Sequence, residues 1–213
     1  DPLFKIEENH REKPTILLSS TFSPKYSWLY NEEVISEIQR LSKTGEFKFL
    51  AVLHPKMDKD KIEIVQKMQH ENFKYYDTTD IIPLFRQADI MFSDTTSAIT
   101  EFILQKKPVV TFRNNKPASH LINISNPEAI ESAIRQAFSP SRELLENIES
   151  YIYDTHPYFD GKSSERVIST CIEVLHTDKS ELSSKPLNLV RRYQLRKKLN
   201  HFTFKSYRKP FTR

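Results

Sequence analysis

Short apolar runs, most of them closed by small polar residues, alternate along this chain with segments of helical period. "PTILLSSTF" (14–22) reads as a strand and "WLYNEEVISEIQRLSK" (28–43) as an amphipathic helix. "EFKFLAVLHP" (46–55) is a second strand, "DKDKIEIVQKMQH" (58–70) a second helix and "NFKYYD" (72–77) a third strand. A short helix over 78–88, capped by Thr79 or Asp80, leads to a strand at 89–94, a helix at 96–107 and a strand at 108–112. A sixth strand at 120–125 precedes a helix over 126–138, with Asn126 as its cap and Pro127 in its first position. Two more helices are expected, near 141–151 and 162–176. Such alternation builds parallel βαβ units with right-handed crossovers and helices on both sheet faces. The expected class is α/β, with the sheet domain over 1–176 and a polar linker and basic tail over 177–213.

In open α/β sheets ligands bind beyond the carboxyl ends of the strands. Four of those ends read Ser19-Ser20-Thr21, His54-Pro55, Asp77-Thr78-Thr79 and Asp94-Thr95-Thr96-Ser97. The last is the most informative. A helix beginning near Thr96 offers unpaired N–H groups and a partial positive charge. The hydroxyls of Thr95, Thr96 and Ser97 add donors, so a phosphate or diphosphate can sit there without any glycine. Glu101, one turn further on, can accept from ribose hydroxyls. The same residues also serve as a plain helix cap, with Asp94 or Thr95 capping and Glu101 solvated. His54 ends an apolar strand and can donate to a phosphate oxygen, or be held by local hydrogen bonds. Near the C-terminus, "THPYFDGKSSERV" (155–167) holds an Asp160-Gly161 turn, Ser163 or Ser164 as a helix cap, and Lys162 and Arg166 as cations for a diphosphate.

Composition removes several alternatives. Two glycines, Gly45 and Gly161, exclude a Gly-rich phosphate loop. The histidines are scattered, so no metal set and no cofactor site is expected. The single cysteine, Cys171, forms no internal disulfide, fits a reducing cytoplasm and sits in an apolar helical pattern that suggests packing. No apolar run reaches the roughly 20 residues of a membrane helix.

Together, "HPK", "DIIPLFRQADIMFSDTTSAITEFILQKKPVV" and "THPYFDGKSSERV" resemble the C-terminal, nucleotide-binding half of the CDP-glycerol glycerophosphotransferases, over about residues 14–176. "DGKSSERV" is the most diagnostic part. The other segments recur across GT-B proteins, including the non-hydrolysing UDP-N-acetylglucosamine 2-epimerases. The resemblance implies a GT-B enzyme with two Rossmann-like domains that builds teichoic-acid-like cell-surface polymers. It places the donor's diphosphate against His54 and the hydroxyls of Thr95, Thr96 and Ser97, with Glu101 on the ribose; the strand ends add Ser19, Ser20, Thr21 and Asp94 as candidate substrate-binding residues, and the C-terminal segment adds Lys162 and Arg166. It implies transfer of a polyol phosphate from a CDP-activated donor to the hydroxyl of a lipid-linked or polymeric acceptor. CMP would be released, with His54 offsetting charge on the leaving phosphate. The family more often has Asp-Tyr-Ser-Ser where this chain has Asp94-Thr95-Thr96-Ser97. In the family an acceptor domain carrying the base histidine precedes this half, and "DPLF" looks like the end of the interdomain segment. An N-terminal GT-B domain is therefore expected in cis or in trans. Two alternatives stay open: a UDP-sugar-dependent glycosyltransferase or 2-epimerase of the same fold, and a non-catalytic binding module.

Charge is uneven. From Arg191 to Arg213 there are nine Lys or Arg and no acid, while the whole chain is only +4, so the body is net acidic. Basic residues alternate there with Leu189, Val190, Tyr193, Leu195, Leu199, Phe202, Phe204, Tyr207 and Phe211. An amphipathic tail of this kind suits an anionic membrane surface, and stacking aromatics also suit single-stranded nucleic acid. With a wall-polymer enzyme as the body, the membrane is preferred, which places the protein in the cytoplasm at the inner face of the cell membrane.

Overall fold

A computed structural model describes residues 13–180, 183, 186–199 and 201. Residues before Lys13 and beyond His201, including "DPLF", Phe202, Phe204, Tyr207 and Phe211, lie outside the described residues.

Six parallel strands form one sheet: β1 Thr15–Ser20, β2 Lys48–Leu53, β3 Phe73–Tyr76, β4 Ile90–Ser93, β5 Val109–Phe112 and β6 Ile122–Ile124. Their order is β3-β2-β1-β4-β5-β6. The chain winds outward from β1 to β3, crosses back, and winds the other way from β4, so the winding reverses between β1 and β4. There Leu17 pairs with Met91 and Leu18 with Phe92. Every residue of β1, β4 and β5 is buried, as expected of parallel strands covered on both faces. Trp28, Phe49, Phe73, Phe85, Phe92 and Phe102 are fully buried around the sheet. Phe85 and Phe102 meet edge to face at 5.4 Å, and Trp28 meets Phe92 at 5.9 Å.

The helices are α1 Glu32–Lys43, α2 Lys59–Lys67, α3 Ile82–Gln87, α4 Ala98–Ile103, α5 Ile130–Phe138, α6 Arg142–Thr155, α7 Ser163–His176 and α8 Leu189–Lys198. Helix α1 shows how local sequence sets an element. The Asn31 side chain accepts from the Val34 N–H, Glu32 and Glu33 occupy the first turn, and Arg40 and Lys43 the last. Val34, Ile38 and Leu41 form its buried stripe. Gly45, at φ 77°, takes the left-handed position that ends it. Alongside, α5 buries Ile130, Ala133, Ile134 and Ala137, and Arg40 pairs with Glu131 across the two helices.

Several elements differ from the sequence expectation. The segment 28–43 is a 3₁₀ turn, Trp28–Tyr30, followed by α1, because Asn31 is extended so that its side chain can cap. The expected helix over 78–88 shrinks to α3, with Ile81 rather than Thr79 or Asp80 at its cap position. Thr78 Oγ1 accepts from the Asp80 N–H and holds those residues in a turn. The expected 96–107 helix is only the six residues of α4, and Lys106, at φ 59°, lies beyond its end. Segment 126–138 divides into a 3₁₀ turn, Pro127–Ala129, and α5; the Asn126 side chain makes no capping bond.

The described residues form two compact units that divide between Ser164 and Glu165. The first holds the sheet. In the second, α7 and α8 bury no residue. Cys171 is exposed on α7, which corrects the expectation that it packs in a core. In α8, Leu189, Val190 and Tyr193 fall on one side and Leu195 on the other, with five basic residues interspersed. This helix therefore has no continuous apolar face, contrary to the amphipathic reading. Among the described residues, no helix is long and apolar enough to cross a membrane.

Candidate functional site

Asp94 organises the carboxyl edge of the sheet where the winding reverses. It follows β4 directly and is fully buried. Oδ1 accepts from the backbone N–H of Thr21 at 2.9 Å and of Thr95 at 2.6 Å. Oδ2 accepts from Ser20 Oγ at 2.5 Å and from the Trp28 N–H at 3.1 Å. Ser20 Oγ in turn lies 2.7 Å from Ser27 Oγ, which accepts from the Leu29 N–H. A consistent proton order therefore runs from Leu29 through Ser27 and Ser20 to Asp94. Burial pushes the Asp94 carboxyl above its ordinary range, against the pull of its bonds from Ser20, Thr21, Trp28 and Thr95. The carboxylate thus ties the loop after β1 to the loop after β4. Its acceptor capacity is directed inward, so it shapes the edge rather than facing a ligand.

Ser19 and Ser20 are buried as well. The Ser19 carbonyl accepts from Trp28 Nε1 at 2.9 Å and from Ser93 Oγ at 3.0 Å, which locks β1 to β4 at their ends. Thr21, Thr95 and Thr96 are half-buried, and Ser97 is exposed. Ser97 occupies the cap position of α4 without a capping bond from its side chain. Thr96 Oγ1 makes only a long contact, 3.4 Å, with the Ala98 N–H. Glu101 is exposed in the first turn of α4.

His54 follows β2, beside β1 in the sheet. Its Nδ1 accepts from the Lys56 N–H at 3.0 Å, which leaves Nε2 carrying the proton in the neutral ring. The ring lies 4.6 Å from that of Phe22, an exposed aromatic of the β1 loop, and Lys56 Nζ stands over the Phe22 ring. The structure therefore gathers Ser19, Ser20, Thr21, Asp94, Thr95, Thr96 and Ser97 into one cluster, with His54 beside the β1 loop. Lys162 is exposed in the Asp160-Gly161 turn, and Arg166 lies on α7 in the second unit.

Sequence reading missed the loop after β5. Asn114 Nδ2 donates to the Asp94 carbonyl at 2.7 Å, and the Asn115 N–H to Thr95 Oγ1 at 3.2 Å. Asn114 is itself held by Asn123 Oδ1, at 3.0 Å from its N–H. The strand-end rule pointed to this segment: "PVVTF" is followed at once by Arg113-Asn114-Asn115-Lys116. A separate groove of about 910 Å³ is lined by Glu32, Glu33, Glu37 and Glu128 together with Arg40 and Arg113. Four carboxylates against two guanidiniums make it unsuited to a diphosphate.

The model of the UDP-N-acetylglucosamine 2-epimerase family matches residues 5–172. No curated protein matches the chain. Among solved structures, the S. aureus MnaA–UDP co-structure is similar, with a TM-score of 0.57 and 16% identity over 82% of this chain and 50% of that one. The Neisseria meningitidis UDP-GlcNAc 2-epimerase bound to UDP-GlcNAc has a TM-score of 0.52 and 17% identity over 81% and 46%. The wall teichoic acid polymerase TagF, soaked with CDPG, has a TM-score of 0.51 and 16% identity over 85% and 45%. At such identities the likeness is one of fold, the Rossmann-like half of a GT-B protein. The chain spans about half the length of each of these structures.

Proposed function

Because the chain belongs to the UDP-N-acetylglucosamine 2-epimerase family, we propose that its sheet domain is the donor-binding half of a GT-B enzyme and takes a nucleotide-activated donor at the carboxyl edge of β1 and β4. One observation carries this reading. Asp94 draws the two loops together and satisfies their backbone N–H groups internally, while the Thr96 and Ser97 hydroxyls are left without strong partners beside them. Hydroxyl donors held on a rigid edge suit phosphate oxygens. Glu101, exposed in the first turn of α4, is in sequence range of the ribose attached to that diphosphate.

The transferred group in this proposal is a polyol phosphate. The acceptor hydroxyl attacks the distal phosphorus, the bond from that phosphorus to the bridging oxygen breaks, and CMP leaves. The hydroxyl proton passes to a base on the companion N-terminal domain. His54 Nε2–H donates to the phosphate on which charge develops. The motif "DGKSSERV" supports this chemistry. The family match supports a second reading, a UDP-linked sugar on the same seat. Calorimetry separates them: CDP-glycerol bound in preference to UDP-GlcNAc supports the first, and the reverse order the second. Thr96→Ala with Ser97→Ala should weaken diphosphate binding at least tenfold, the scale of one or two charge-assisted hydrogen bonds. Binding by neither nucleotide class, or binding indifferent to this pair, refutes the donor seat.

The basic tail is proposed to hold the protein at the anionic inner face of the membrane, near a lipid-linked acceptor. Helix α8 carries Arg191, Arg192, Arg196, Lys197 and Lys198 and no acid, each worth about 1 kcal/mol close to such a surface. Since its apolar residues do not share one face, attachment should be electrostatic and salt-sensitive. Co-sedimentation with phosphatidylserine vesicles, comparing the full chain with one ending at Leu187, tests this; equal pelleting refutes it.

A further inference from the structure

The sequence pointed to Lys162 and Arg166 as the cations of the site, yet the loop that reaches the Asp94 cluster carries a different one. Loop 113–116 has five hydrogen bonds to other segments, that of the Asn114 N–H to Asn123 among them, and one within itself. The Arg113 N–H donates to the Ile124 carbonyl and its Nε to the Ser125 carbonyl. The Asn114 side chain and the Asn115 N–H tie the loop to Asp94 and Thr95. The Lys116 N–H donates to Asn114 Oδ1 at 2.8 Å. Lys116 is thus two residues from the group bonded to the Asp94 carbonyl, and next to the one bonded to Thr95.

The other cations on the loops after β1, β2 and β5 are engaged. Lys25 stands over the Tyr26 ring, Lys56 over Phe22, and Arg113 over Phe112 while bonded to Ser125. The Lys116 side chain is exposed and its ammonium has no hydrogen bond, ion pair or ring contact among the described residues. The acid nearest in the cluster, Asp94, is buried with its oxygens already bonded, so it does not neutralise Lys116.

We infer that Lys116 is a binding residue for the donor's diphosphate, the cation of the β5 loop whose neighbours Asn114 and Asn115 hold the Asp94–Thr95 segment. Its backbone is held by Asn114 while its long side chain adjusts to the ligand, so charge is delivered from a fixed loop. The inference rests on the donor seat proposed above, and its test separates the two.

Binding of CDP, UDP, CMP, UMP, cytidine and uridine to the full chain is measured at low salt by calorimetry, for wild type, Lys116→Ala, Lys116→Arg and Thr96→Ala. Lys116→Ala should weaken CDP or UDP about tenfold or more and change the nucleosides less than about twofold, with Lys116→Arg close to wild type. The salt dependence of diphosphate binding should flatten in Lys116→Ala. If Lys116→Ala binds diphosphates like wild type while Thr96→Ala weakens them, Lys116 has no such role and the seat stands. If wild type binds neither CDP nor UDP, the seat and this inference fail together. Circular dichroism checks the fold, which an exposed lysine should not disturb.

Discussion

The carboxyl edge of the sheet and the helices α7 and α8 are stabilised in opposite ways. At the edge, one fully buried carboxylate receives four donors from three chain segments, with Trp28 and Phe92 packed below. On α7, Val167, Ile168, Ile172, Val174 and Leu175 are all more than half exposed, and neither helix buries a residue. Both regions are regular structure. The first is specified by buried tertiary contacts that exclude alternatives, whereas the second buries no residue, so desolvation adds little to it.

The largest effect should come from Asp94→Ala. It leaves the N–H groups of Thr21, Trp28 and Thr95 without their acceptor and removes the 2.5 Å bond from Ser20, and should cost about 4 kcal/mol, read from urea unfolding. A loss under about 1 kcal/mol would mean that the edge does not depend on this carboxylate. Trp28→Phe keeps most of the ring packing but loses the Nε1–H bond to Ser19, and should cost about 1–2 kcal/mol in the same measurement. This comparison separates the packing of the edge from its hydrogen bonding.

A third test concerns His120, stacked at 3.8 Å on Tyr151, whose hydroxyl lies 3.1 Å from Thr100 of α4. Burial holds the His120 imidazole below its ordinary range. The native state therefore resists a proton that the unfolded chain accepts, so stability is complete above the ordinary imidazole range and falls as the pH drops through it. His120→Phe keeps a stacking ring and should lose this part of the acid sensitivity, seen as the difference between the two stability curves from pH 8 to pH 5. Parallel curves would contradict the assignment. The smallest effect is expected on α7: Ile168→Ser should shift unfolding of the full chain by less than about 0.5 kcal/mol. A shift above 1 kcal/mol would erase the contrast between the two regions.

The strand-helix order was legible because parallel strands are apolar throughout and their crossovers carry a helical period. All six strands were anticipated within a few residues. The lengths of α1 and α3 were not, because Asn31 and Thr78 use their side chains locally and pull the chain out of helix where apolar spacing alone would continue it. At the candidate site, the polar strand ends pointed to loops that the fold brings together, but not to the division of labour within them. Asp94 and Thr95 look alike as polar residues after a strand. Burial turned the first inward, and only contacts across 74 residues reveal it. The β5 loop was passed over although the same strand-end rule applied to it.

What the sequence determined by itself is the period of its apolar residues, and with it a parallel α/β sheet whose polar strand ends lie on one edge. Which polar groups turn inward and which stay available for a ligand was decided by the tertiary structure. Those roles depend on desolvation and on hydrogen-bond partners distant in the chain, and no local pattern encodes either.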